Sequence, residues 1–148
     1  MIIEKYKKIV IKIGSSSIVD SATSSVKKNW LNSMCSDIAM LYKKNKKIIV
    51  VSSGAVALGK RLISPNKMIR SLEVKQASAA LGQIELIKQW QQALKKKYIL
   101  SAQILLTLDD SEIRRRYLNV RKTINSLHKN KIIPIINEND TVATEEIR

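Results

Sequence analysis

Three short stretches hold residue types that could do chemistry together: "KIGSSS" around Lys12, "VVSSGAVALGK" around Ser53 and "IINEND" around Asp140. In the first, Lys12 stands two residues before Gly14. Gly14, Ser15 and Ser16 can turn several backbone N–H groups toward an anion while the lysine adds a point charge, which makes a phosphate cradle. A plain Gly-Ser connector after a strand has the same sequence. The stretch is neither G-x-x-x-x-G-K-[ST] nor G-x-G-x-x-G, so neither nucleotide fingerprint applies. In the second, Ser53, Gly54 and Ala55 open a run of good helix formers, where free N–H groups and the helix dipole favour a carboxylate or phosphate. Ser53 as a bare N-cap is the alternative. The third places two amides and two carboxylates, Asn137, Glu138, Asn139 and Asp140, in four consecutive positions. An Asx turn would use them structurally. A ligand of mixed charge would use them otherwise, with amides on its carboxylate and a carboxylate on its ammonium, and an amino acid is such a ligand.

Other chemistries find less support. His128 is the only histidine and stands in the basic helix end "LHKNK", where it is expected to be exposed, so a Ser-His hydrolase is disfavoured. Cys35 is the only cysteine. It lies among Trp30, Leu31, Met34, Ile38 and Tyr42 at helical spacing and is expected to pack in a core rather than react or pair, which fits a reducing cytosol. The N-terminal "MIIEKYKKIVIKIGSSS" mixes lysines with β-branched residues and lacks the features of a secretory signal, and no apolar run approaches the roughly 20 residues of a membrane helix. The 27 Lys and Arg against 12 Asp and Glu give a net charge of +15, enough to attract nucleic acid by field alone. The lysines, however, are dispersed through every segment. Arg114, Arg115 and Arg116 are the nearest thing to a patch, and no RNA-binding aromatic motif accompanies them. No specific nucleic-acid partner and no membrane partner is expected.

The elements that must position these residues follow from periodicity. Tyr6 to Ile13, Lys47 to Ser52, Ile99 to Thr107 and Ile132 to Ile136 read as short strands rich in Ile, Val and Leu. Between them lie stretches of helical period. In one, Ile113, Tyr117, Val120, Ile124 and Leu127 share a face that is expected to join the core, with a basic face opposite. Strands alternating with helices predict right-handed crossovers and an α/β layered domain, its mainly parallel central sheet sandwiched between helices on both faces. The 148 residues suffice for one domain, and the one candidate linker is "LISPNK" around Pro65. Ligands of such sheets bind outside the carboxyl ends of the strands, and three of the four strand ends open into the stretches described above.

These motifs resemble a known family. "VIKIGSSSI", "IVVSSGAVALGK", "KQASAALGQIELI", "QILLT", "RYLNVRKTINSL" and "IPIINENDTVATEEIR" are similar, in order and spacing, to the motifs of the glutamate 5-kinases in the amino acid kinase family. The resemblance spans Val10 to Arg148. It implies an amino acid kinase-like αβα fold and transfer of the ATP γ-phosphoryl group to the side-chain carboxylate of glutamate, the first step of proline biosynthesis. It implies Lys12 as the catalytic, phosphate-binding lysine, Gly14, Ser15 and Ser16 as the phosphate loop, and Ser53, Gly54, Ala55, Asn137, Asn139 and Asp140 as the glutamate site. Asp110 and Glu146 match acidic positions where proline inhibition is tuned. ATP with Mg2+ is the implied co-substrate, without a metal ligand identified in this chain. L-glutamate, a homo-oligomeric state and γ-glutamyl phosphate reductase are the implied partners, and the cytoplasm is the implied location.

The family continues past the position of Arg148 with a "GDND" segment, the ATP-binding half with a second catalytic lysine and, in many members, a PUA domain. The expectation is therefore a truncated kinase domain, 1–148 forming its glutamate-binding part with the ATP-binding half and PUA domain absent. The alternative is a non-catalytic remnant, at most a glutamate-binding or assembly module.

Overall fold

The computed structural model describes residues 2–63 and 71–143. After a 3-10 turn at Ile2–Lys5 come β1 (Lys8–Ile13), α1 (Ser15–Ile18), β2 (Val19–Asp20), β3 (Ser25–Val26), α2 (Lys28–Lys43) and β4 (Lys47–Ser52). Then follow α3 (Ala55–Ile63), α4 (Leu72–Lys95), β5 (Leu100–Leu106), α5 (Leu108–Glu112), α6 (Arg114–Lys129) and β6 (Ile132–Glu138). The β-branched strands pair in the order β1-β4-β6-β5, every pair parallel, as the helical crossovers require. The short β2–β3 hairpin, which periodicity does not foretell, is closed by Asp20, whose carboxylate accepts from the Ala22 and Thr23 N–H groups at 2.9 and 3.0 Å.

Register assigns the two faces of the sheet. Ile13, Ile48, Val50, Ile133 and Ile135 point one way and are buried against Leu31, Cys35 and Ile38 of α2 and Leu86, Trp90 and Leu94 of α4. Full burial of such side chains is worth about 1.5–3 kcal/mol each, so this layer holds the domain together. Cys35 belongs to it, and burial pushes its thiol up to about 12, as expected of a core cysteine.

Helix α4 also packs closely on α3. A Cβ on Gly59 would fall 1.8 Å from the Ser78 carbonyl oxygen, and one on Gly82 would fall 1.8 Å from that of Ala55. Only glycine permits backbones to meet so closely at these two points.

Several expectations need correction. Strand β1 begins at Lys8 rather than Tyr6, β5 runs Leu100–Leu106, and β6 continues to Glu138 because its ladder with β5 extends through Leu106 and Glu138. Helix α6 covers the other face of the sheet, but none of its residues is fully buried, and Tyr117 remains 49% exposed. A groove of about 300 Å³ separates Tyr117, Val120 and Ile124 from Val10 and Ile49, so the apolar face is only half covered. His128 is not the exposed helix end that its basic neighbours suggest. It is part-buried and its Nε2–H donates to the Ile48 carbonyl at 2.9 Å, fastening α6 to β4. The Pro65 linker lies outside the described residues, between α3 and α4.

Candidate active site

Parallel pairing brings the carboxyl ends of β1, β4 and β6 side by side. Ile13 is level with Ser52, and Val51 with Ile136, so Gly14, Ser53 and Asn137 emerge along one edge. The first two are locked together, because Ser53 N–H donates to the Ile13 carbonyl at 3.0 Å, one step beyond the end of β4. Gly54 then turns the chain at φ +119, a conformation open to glycine and strained for any other residue. A Cβ there would lie 3.0 Å from Val19 Cγ2 and 3.9 Å from Ser15 Cα. The Ser53–Ala55 turn therefore rests directly on the Gly14–Ser16 loop.

The expected phosphate loop is Gly14 followed by the first turn of α1, and this segment is open. Gly14, Ser15, Ser16 and Lys12 are exposed, and nothing lies within 4 Å of a Cβ placed on Gly14. Lys27, to which the sequence reading gave no role, pins the loop from below through Nζ to the Ser16 carbonyl at 2.8 Å. The combination of exposed N–H groups, an exposed strand lysine and a second ammonium nearby suits a polyanion.

The β6 end is more constrained. Asn137 is buried, and its Nδ2–H donates to Gln83 Oε1 of α4 at 2.6 Å. Asn139 opens a backbone turn, its carbonyl accepting from Val142 and Ala143 N–H at 3.2 and 3.1 Å, while its Oδ1 accepts from the Thr141 hydroxyl and not from a backbone N–H as in an Asx turn. Its own N–H donates to the Leu106 carbonyl at 2.7 Å, so the β5–β6 ladder extends into the loop. The half-buried Asp140 is the second residue of this turn. Behind the site, Trp90 Nε1–H donates to Ser52 Oγ at 3.0 Å, and Ser52 Oγ reaches the Ser53 carbonyl at 3.3 Å. Gln83 and Trp90 were missed as site supports. The quoted stretch "KQASAALGQIELI" contains Gln83, but helical spacing cannot show which strand end a glutamine will meet.

Asp110 has a local task. Its Oδ2 accepts from the Thr107 N–H at 2.7 Å and the Thr107 hydroxyl at 2.9 Å, closing a capping box at the start of α5. These bonds, the backbone one foremost, hold its carboxyl below the ordinary range. Arg116 lies 3.6 Å from Asp110 and 3.7 Å from Asp109, so one of the three clustered arginines is committed to this corner. Glu146 lies outside the described residues. Among the described residues, no three His, Cys, Asp or Glu side chains are placed to hold a metal ion, and no helix is long and apolar enough to cross a membrane.

The model of the amino acid kinase family matches residues 7–148. The chain belongs to the amino acid kinase family. Among its relatives, glutamate 5-kinase of Sinorhizobium fredii is 55% identical over 146 residues, covering 99% of this chain and 37% of that protein. Glutamate 5-kinase 1 of Mesorhizobium japonicum is 53% identical, with 99% and 38% covered. The chain thus spans little more than a third of the length of the curated relatives it matches. The crystal structure of T. acidophilum isopentenyl phosphate kinase in its product complex superposes with a TM-score of 0.60 at 9% identity, over 88% of this chain and 54% of that one. At that identity the likeness concerns the fold alone, and it agrees with an α/β domain built on a parallel sheet.

Proposed function

We propose that this chain supplies the glutamate-binding part of a glutamate 5-kinase, which transfers the ATP γ-phosphoryl group to the side-chain carboxylate of L-glutamate. What carries the proposal is the meeting of three loops on adjacent strand ends, Gly14–Ser16, Ser53–Ala55 and Asn137–Asp140, in a chain more than half identical to enzymes of that name. The chemistry suits the side chains. A glutamate carboxylate, with an ordinary pKa of about 4.3, is already ionised at neutral pH and needs no general base. The reaction instead needs two anions held in line while their repulsion is offset. Lys12 and the N–H groups of Gly14–Ser16 are assigned to the transferred phosphoryl group. Asp140 is assigned to the substrate ammonium, the Ser53–Ala55 turn to the rest of the amino acid, and Asn137 to the substrate beside Asp140. Mg2+ belongs to the nucleotide substrate in this scheme, and the cytosol is the matching location.

Calorimetric or NMR titration with L-glutamate tests the assignment. Saturable binding is expected. It should weaken by roughly 30-fold or more in Asp140→Ala, as when one partner of a charge pair is removed, and should be little changed in Lys12→Ala. Binding that ignores Asp140, or no binding at all, would overturn the proposal.

A further inference from the structure

Helix α4 reaches the glutamate side of the site at three points. Gly82 lets it meet the Ala55 backbone, Trp90 holds Ser52, and Gln83 meets Asn137. The last contact is the most selective. Asn137 is 6% exposed, and a buried amide must find partners or be destabilising. An amide has a donor end and an acceptor end, and which end faces a ligand depends on which end the protein takes. Gln83 Oε1 takes the donor end, Nδ2, at 2.6 Å.

We propose that Gln83 is a positioning residue which, by accepting from Asn137 Nδ2–H, leaves Asn137 Oδ1 as the end that meets the amino-acid substrate. Asn137 then acts as an acceptor for the substrate ammonium beside Asp140, and not as a donor to a carboxylate. The step rests on the glutamate-binding proposal for its ligand, but the orientation of the amide can be tested without one. Gln83 lies on a half-buried helix surface, so its replacement leaves the core layer of Leu86, Trp90 and Leu94 intact.

The experiment compares the parent protein with Gln83→Glu, which can still accept, Gln83→Met, which can do neither, and Gln83→Lys, which can only donate. The Asn137 side-chain NH2 resonances, assigned by NMR, should be well dispersed and slow to exchange in the parent and in Gln83→Glu. They should approach free-amide values in Gln83→Met and Gln83→Lys. L-glutamate affinity should follow the same order, near parental in Gln83→Glu and about tenfold weaker in the other two; thermal midpoints should stay near parental in Gln83→Glu and fall in Gln83→Met and Gln83→Lys, which leave the buried amide without its partner. Unchanged resonances in Gln83→Met would overturn the proposal. So would a Gln83→Glu protein that behaves like Gln83→Met, because the glutamine would then be the donor. A parent protein that shows the expected NH2 signature yet binds no glutamate would count against the kinase proposal and for the orientation set by Gln83.

Discussion

Helices α4 and α6 cover opposite faces of one parallel sheet, and they are held there by different means. Helix α4 has no tidy apolar stripe, yet it buries Ser78, Ala79, Gly82, Leu86, Trp90, Ala93 and Leu94. Helix α6 has a clear apolar face and buries none of its residues. Small residues let α4 approach α3 to backbone contact, and its large ones then fill the space above β4 and β6. Helix α6 lies over β6, where Pro134 is buried, but leaves a gap toward β1, with Val10 63% exposed. Periodicity thus tells which side of a helix is apolar, whereas burial also requires a surface close enough to meet it. The site draws its supports from the tightly packed side.

The contrast is broken most directly at Trp90. Trp90→Ala should destabilise by about 3–5 kcal/mol through lost burial and the cavity left behind, a large share of the roughly 5–15 kcal/mol typical of a whole domain. Chemical denaturation measures it. A loss under about 1 kcal/mol would mean that α4 is no more firmly seated than α6. Trp90→Phe is the finer probe, since it keeps most of the volume but removes the donor to Ser52 Oγ.

Gly82→Ala comes next. The added methyl would fall on the Ala55 carbonyl, so α3 and α4 must separate, at about 1–3 kcal/mol for overpacking. Because Ala55 belongs to the proposed glutamate turn, L-glutamate affinity should fall along with stability. Full affinity in this variant would show that the turn keeps its shape without α4.

On the looser side, Tyr117→Ser should cost only about 1 kcal/mol, the share appropriate to a half-exposed ring. A value near that of Trp90→Ala would mean that something covers α6 in solution.

These differences also mark what the sequence could show. β-branched runs located all four strands of the main sheet, and Gly and Asn at strand ends marked the loops, because backbone conformation and local side-chain chemistry decide both. The supports were hidden because each pairs residues far apart in the chain: Gln83 with Asn137, Trp90 with Ser52, Lys27 with Ser16, His128 with Ile48. Asp110 was matched by resemblance to a regulatory position, while its bonds to Thr107 make it a helix cap first. Glutamate affinity in Asp110 variants must therefore be read beside their stability.

The smallest expected effect separates the two helices by pH. If α6 is retained by local devices rather than burial, those devices should be the first to fail in acid. Asp110 closes the capping box of α5, which leads straight into α6, and Arg116 of α6 faces Asp109 and Asp110. The folded Asp110 carboxyl titrates below its ordinary value, so its contribution is complete above the unfolded value and is lost as pH falls through the folded one, below about pH 4. The amount is small, at the low end of the roughly 0.3–1.5 kcal/mol of a helix-capping device. In Asp110→Asn the amide oxygen still accepts, so at pH 7 that variant should lose only part of it. Hydrogen exchange at pH 7 and pH 3, corrected for intrinsic rates, reads each helix separately. Protection should drop in α5 and α6 on acidification, while α4 loosens only at its first turn, where bonds to the backbone and to Ser71 also hold the Glu73 carboxyl below its ordinary value, and keeps its protection around Leu86, Trp90 and Leu94. Asp110→Asn should shrink the acid effect on α5. An equal loss of protection in α4 and α6 would mean that the helices open as one unit, and that the sheet couples its two faces more strongly than their packing implies.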